Sequence, residues 1–214
     1  MASIFRHLMQ RLHAPVYACR LNELVRIITH QLQPGDRVLD VGCGIGALGR
    51  ALMDHPMCPV DVTVIGLERT RRAQELITVH GYDGRTIPFG DSSFDVVILA
   101  DVLHHETEAH HLIDQCIRVA RRLLIVKDHK LDGPFARQRI CLLDWAANHP
   151  YGVPCLYQYN TREQWRQSHQ RHGLTIEQEL TKLRLYPLPY RLLFTPRLQY
   201  MAILHVPGTG GRSE

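Results

Sequence analysis

The residues that bear on chemistry begin at Val38-Leu39-Asp40-Val41-Gly42-Cys43-Gly44-Ile45-Gly46-Ala47-Leu48-Gly49. An apolar run delivers a carboxylate, Asp40, to a glycine-rich turn that opens a helix. Glycine belongs where backbone turns sharply and must lie against a ligand with no Cβ between them. The helix beyond offers N–H groups that lack partners within the helix. Glu68 stands 22 residues past Gly46, at the end of a second apolar run, Val62 to Leu67. An acid in that position suits the hydroxyl pair of a ribose. Further along, polar groups gather at the ends of two more apolar runs: Asp101, His104 and His105 after Phe94 to Ala100, and Lys127, Asp128 and His129 after Leu123 to Val126. Histidine is abundant, at 14 of 214 residues, and it is the side chain that exchanges protons near neutral pH.

Two ligand chemistries use such a turn. Gly44-x-Gly46-x-x-Gly49 matches the fingerprint for a dinucleotide, with Glu68 as its ribose acid. Asp40, two residues before the first glycine, would repel a pyrophosphate. It suits a ligand carrying an ammonium and a sulfonium, as S-adenosylmethionine does. In an open parallel sheet the ligand lies beyond the carboxyl ends of the strands, so the histidines and aspartates there are acceptor-side candidates. His105, Asp128 and His129 are the candidate bases. The tract HHETEAHH invites a metal reading, but a zinc-binding H-E-x-x-H would need a histidine where Ala109 stands, so no metal is expected.

These groups need elements to position them. Residues 2–14 and the stretch from Leu21 to Leu32 repeat apolar residues at helical spacing, which predicts two helices separated by Pro15. Continuous apolar runs at Val38–Val41, Val62–Leu67, Phe94–Ala100 and Arg122–Asp128 predict strands buried on both faces, with a short strand at Leu76–His80. Helices are predicted at 46–53, 107–120 and 134–148. Thr161-Arg162-Glu163-Gln164 is a capping box for a helix ending near His172. Late strands are expected within 174–184 and 198–206, and the tail PGTGGRSE is expected to be disordered. Strands alternating with amphipathic helices predict an α/β, doubly wound, mostly parallel sheet with helices on both faces.

Composition narrows the class. The chain is 45% hydrophobic and 21% charged, with a net charge of +4, as in ordinary globular proteins. No apolar stretch is long enough to span a bilayer, and the N-terminus has no secretory apolar region. The surplus of base is too small to argue for nucleic acid. Six cysteines without a C-x-x-C pair read as reduced thiols, which suggests the cytoplasm.

With these motifs in order, residues 35–130 resemble the class I, Rossmann-like S-adenosylmethionine-dependent methyltransferases, in the small-molecule subgroup often called type 11. LDVGCGIG resembles the first motif of that family. Glu68 falls at the ribose-binding acid. Tyr82-Asp83-Gly84 with Ile87-Pro88-Phe89 resembles the loop whose aspartate meets the adenine amino group. Ser93-Phe94-Asp95-Val96-Val97 with Asp101-Val102-Leu103-His104-His105 resembles the fourth strand and its following motif. The resemblance implies a Rossmann-like seven-stranded sheet with antiparallel last strands. It also implies a cofactor site of Asp40, Gly42, Gly44, Gly46, Glu68, Asp83, Gly84, Asp101 and His104. Arg69 to Glu75 leaves little room for the family's usual second helix, so the adenine side is expected to be open.

The resemblance further implies that the insertion after the fifth strand builds the acceptor pocket, with Trp145, Asn148, Tyr157 and Tyr159 as substrate-binding candidates. The first helix, with Phe5, Leu8 and Met9, is placed to act as a lid. A single domain over 1–214 is expected: N-terminal helices at 1–33, a cofactor core at 34–130, the insertion and its helix at 131–173, late strands at 174–206 and a tail at 207–214. The expected activity is methyl transfer to a small, apolar molecule, with no nucleic-acid partner and no membrane span. RNA or protein methylation, a non-catalytic cofactor-binding subunit and an NAD-dependent oxidoreductase are the alternatives.

Overall fold

A computed structural model describes residues 2–148 and 155–208, with side chains from residue 15 onward. The side chains of the proposed lid, and residues 209–214 of the tail, lie outside the described residues. In chain order the elements are α1 (Ala2–Thr29), β1 (Arg37–Val41), α2 (Ala47–Met53), β2 (Thr63–Glu68), β3 (Val79–Gly81), β4 (Phe94–Ala100), α3 (Ala109–Val119), β5 (Ala120–His129), α4 (Ala136–Asn148), α5 (Arg162–Arg171), β6 (Thr175–Leu180), α6 (Tyr190–Leu193) and β7 (Gln199–His205).

The strands form one seven-stranded sheet in the order β3-β2-β1-β4-β5-β7-β6. β1 to β5 pair in parallel, and β7 runs against both its neighbours, β5 and β6. Both faces of the central strands are buried, as the continuous apolar runs require. Because side chains alternate along a strand, the residues of each run divide between two cores. Leu39, Val41, Val97, Leu99, Leu124 and Val126 pack with Leu112, Ile113 and Cys116 of α3 and with Trp165 of α5. Val38, Val96, Ile98, Leu123 and Ile125 pack with Leu24, Val25 and Ile28 of α1 and with Leu48 and Leu52 of α2. A fully buried side chain of this size contributes roughly 1.5–3 kcal/mol, so the two layers fix the level of every strand end.

Strand order reverses between β1 and β4, which makes a topological switch point and opens a crevice at their carboxyl ends. Register keeps those ends level: Val41 lies opposite Leu67 of β2 and Leu99 of β4, and Glu68 lies opposite Gly81 of β3.

Three expectations change. The predicted pair of N-terminal helices is one helix that runs through Pro15. Proline removes one helical hydrogen bond, and the packed face beyond it, Leu24, Val25 and Ile28, holds the remainder in place. The short strand expected at 76–80 is shifted to Val79–Gly81. β5 extends to His129, because β7 pairs with it as far as His129 opposite Gln199. His129 thus joins Lys127 and Asp128 at the end of the strand. The capping box is present as read: the Thr161 hydroxyl accepts from the Gln164 N–H, and the Gln164 side chain accepts from the Thr161 N–H. No helix forms between Arg69 and Glu75. All six cysteines are free thiols, and no helix among the described residues is long and apolar enough to cross a membrane.

Candidate functional site

The glycine turn is fixed from both sides. The Gly42 and Cys43 N–H groups both reach Leu67 O, at 2.8 and 3.3 Å, and the Gly46 N–H reaches Cys43 O at 2.9 Å. Gly42, Gly44 and Gly46 have φ of 72°, 59° and 81°, the left-handed region that favours glycine. Their surroundings differ. A Cβ on Gly42 would stand 2.5 Å from Val102, and one on Gly46 2.3 Å from Ile77, whereas nothing lies within 4 Å of a Cβ on Gly44. The outer glycines close the turn against the protein, and the middle one faces open space.

Two carboxylates flank this turn. Glu68 accepts from the Gly44 N–H at 2.8 Å through one oxygen and from the Arg69 N–H at 3.0 Å through the other. The second oxygen also takes the Thr70 N–H at 3.5 Å, which leaves the oxygen facing Gly44 with a lone pair for a ribose hydroxyl. Asp40 is 2% exposed, and its Oδ2 has no hydrogen-bond partner among the described residues. Burial pushes its carboxyl up to about 7, with Arg20 opposing and Glu68 adding to the rise. An orphaned buried carboxylate oxygen beside a turn whose middle glycine is uncovered fits a ligand that brings positive charge. Asp40, Gly42, Gly44, Gly46 and Glu68 thus fit S-adenosylmethionine.

Toward β3, Asp83 accepts from the Arg85 and Thr86 N–H groups at 2.7 and 2.8 Å. Asp83, Gly84, Arg69 and Glu106 line a cavity of about 600 Å3. Arg69 crosses it, donating to Gly84 O at 3.0 Å and to Glu106 at 2.5 Å. The space left by the missing helix after β2 is therefore partly spanned by one arginine.

Toward β5 the structure gathers a denser set. Asp101, at φ 60°, receives Arg20 at 2.6 Å and Lys127 at 2.5 Å. Burial would raise the Asp101 carboxyl, but the two cations overcome it and hold it well below its ordinary value. His104 Nδ1 lies 2.7 Å from Asp128 Oδ1, and Asp128 also accepts from the His129 N–H at 2.6 Å. Burial opposes charging of His104, yet Asp128 and Asp144 prevail and push it up to about 10. His129 goes the other way: burial first, then Lys127, lower it to about 3, so it is neutral.

Asp144 comes from α4, where Ala136, Ile140 and Asp144 form the buried stripe at i, i+4, i+8. Its Oδ1 lies 3.6 Å from His104 Nε2 and 3.7 Å from His105 Nε2. Tyr159 donates to its Oδ2 at 2.6 Å, and Asn148 donates to its Oδ1 at 2.7 Å. Burial would raise this carboxyl, but the nearby His104 and the Tyr159 hydroxyl pull it down to about 2.

His104, His105, Asp128, His129, Asn148 and Tyr159 thus come together at one end of the sheet. Trp145 is 46% exposed on α4. Tyr157, at φ 55°, is half-buried, and its carbonyl accepts from Arg137. Neither Asp144 nor Arg20 is among the candidates read from the sequence. A carboxylate on an apolar helical stripe was the available signal for Asp144. Nothing local marks Arg20, which reaches Asp101 across 81 positions of sequence.

Residues 39–123 match the family model described as a methyltransferase domain. The 27-O-demethylrifamycin SV methyltransferase of Amycolatopsis mediterranei is 33% identical over 105 residues, covering 42% of this chain and 36% of that one. The chain thus spans about a third of the length of that curated relative. Among solved structures, a chain from the complex between the Haloferax volcanii Trm112 methyltransferase activator and a methyltransferase superposes with a TM-score of 0.66 at 15% identity, covering 94% of this chain and 93% of that one. A SAM-dependent methyltransferase from Aquifex aeolicus gives 0.61 at 15% identity, covering 94% and 98%. Residues 39–123 thus match a methyltransferase domain, and the fold of nearly the whole chain is similar to that of solved methyltransferases.

Proposed function

We propose that this protein transfers the methyl group of S-adenosylmethionine to a small molecule with an apolar body and a protonated nucleophile. One juxtaposition supports the reading best. The uncovered glycine turn with its two carboxylates packs through Gly42 on Val102, two residues before the histidine pair. The named small-molecule activity of the curated relative points the same way.

Asp40, Gly42, Gly44, Gly46 and Glu68 hold the cofactor in this reading, with Asp83 and Gly84 bordering the adenine side. Bound there, the cofactor supplies an electrophilic methyl group open to direct displacement. The chain's own groups then align the acceptor and exclude water. Of the three candidate bases, His105 is placed to touch an acceptor, with its side chain 17% exposed beside Asp144. Asp128, 1% exposed, orients His104. His129 forms a neutral wall, its carbonyl held by the Trp165 indole N–H at 3.0 Å. Asp101, tied by Arg20 and Lys127, fixes the loop after β4. Tyr159, Tyr157, Trp145 and Asn148 border the acceptor side in this reading, where aromatic walls beside a cluster of polar groups suit a small molecule.

The test is incubation with isotope-labelled S-adenosylmethionine and a metabolite extract, read by mass spectrometry. The expected result is a small product heavier by one labelled methyl group, absent with the Glu68→Ala variant. Label found only in RNA or protein would overturn the choice of acceptor.

A further inference from the structure

We infer that His104, His105 and Asp144 form a binding site for one divalent transition-metal ion on the acceptor side of the sheet. The three ligand atoms lie within 4.8 Å of one another. Asp144 Oδ1 stands 3.6 Å from His104 Nε2 and 3.7 Å from His105 Nε2. These separations are too long for hydrogen bonds. They are close to the roughly 3.4 Å expected between two ligands that each stand about 2.1 Å from one tetrahedral ion.

The surroundings are those of a prepared site. Asp128 takes His104 Nδ1 at 2.7 Å. In the tautomer that donates from Nδ1, the Nε2 lone pair points toward Asp144 and His105. A carboxylate behind a ligating histidine in this way fixes its ring and raises its basicity. Asp144 is held in turn by Tyr159 on one oxygen and Asn148 on the other. Two carboxylates and two histidines leave a negative pocket that a divalent ion would neutralise, and the nearby cations Arg20 and Lys127 are engaged with Asp101.

A second grouping, Asp101, His104 and His129, is equally compact, but the same Arg20 and Lys127 would repel a cation there. The site differs from the H-E-x-x-H reading of the sequence, because its third ligand comes from α4 and not from the next turn of the same helix. Two nitrogens and one oxygen suit zinc(II), iron(II) or cobalt(II). Under the methyl-transfer reading, an ion here would acidify an acceptor hydroxyl, and His105 would serve as its ligand in place of acting as base.

The test is titration of tag-free, chelator-treated protein with cobalt(II), followed by its visible absorption and by calorimetry with zinc(II), without cofactor or acceptor. Failure of the methyl-transfer reading would not alter this result. The expected outcome is one equivalent bound, with Asp144→Asn and His105→Gln each weakening binding at least about tenfold. His172→Ala should leave it unchanged, since His172 is paired separately with Asp114. Circular dichroism checks that the variants fold. If Asp144→Asn does not fold, the variant at the less buried His105 decides. Absence of saturable binding, binding indifferent to the triad variants, or binding lost in His172→Ala would overturn the inference.

Discussion

His104 Nδ1 and Asp128 Oδ1 are 2.7 Å apart, and both side chains are almost fully buried. The pair joins the loop after β4 to the end of β5. Removing one partner of a buried ion pair leaves the other unpaired, at a cost of about 3–5 kcal/mol.

The pH dependence of that contribution follows from the imidazole. Its value is raised from 6.5 to about 10 by Asp128 and Asp144 against the effect of burial. A raised histidine contributes fully below its unfolded value and loses that contribution as pH climbs through the folded one. In chelator-treated protein, Asp128→Asn should therefore cost about 3 kcal/mol near pH 6, with the gap from wild type closing toward pH 10. Urea melts at several pH values measure it. A gap that stays constant across that range would show the pair to be neutral.

Asp40 gives the opposite balance between stability and binding. Burial raises its carboxyl from 3.8 to about 7, so its contribution to stability is present below about 4 and is lost by about 7. Asp40→Asn should stabilise the free protein at pH 8, by about 1–3 kcal/mol. It should also weaken S-adenosylmethionine binding roughly tenfold or more. Wild-type affinity should rise from pH 6 to pH 8, and the variant's should not. Paired calorimetry and thermal melts distinguish these effects.

The glycine turn separates fold from ligand. In Gly46→Ala the new Cβ would meet Ile77 at 2.3 Å with φ at 81°, so a loss of about 2–4 kcal/mol in stability is expected. In Gly44→Ala no protein atom is met, and only backbone strain of about 1–2 kcal/mol remains. Cofactor affinity should fall more than stability in that variant. Equal effects of the two substitutions on melting temperature would contradict the assignment of Gly44 to the ligand face.

Much of the fold was legible because its signals are local. Strands buried on both faces read as continuous apolar runs, such as Phe94–Ala100, and the Thr161 capping box is written in four residues. The cofactor side was legible for the same reason: turn, Asp40 and Glu68 follow a fixed path along β1 and β2. The acceptor side was only half legible. His104, His105, Asp128 and His129 could be placed at strand ends, but their pairing depends on which elements meet in space. Asp144 reaches His104 from 40 residues away, and Arg20 reaches Asp101 from an N-terminal helix. The continuity of α1 through Pro15 was hidden because local proline chemistry argues for a break, whereas packing beyond it decides the outcome.

The central claim is that the glycine turn and its carboxylates bind S-adenosylmethionine. Isothermal titration of wild type, Glu68→Gln and Glu68→Ala with S-adenosylmethionine and with NAD tests it most directly. Glu68→Gln keeps an acceptor for the Gly44 N–H and so preserves the turn while removing the charge. The account predicts binding of S-adenosylmethionine but not NAD by wild type, a clear loss in Glu68→Gln and a loss of at least about tenfold in Glu68→Ala. Affinity unchanged in both variants, or NAD bound in preference, would contradict it.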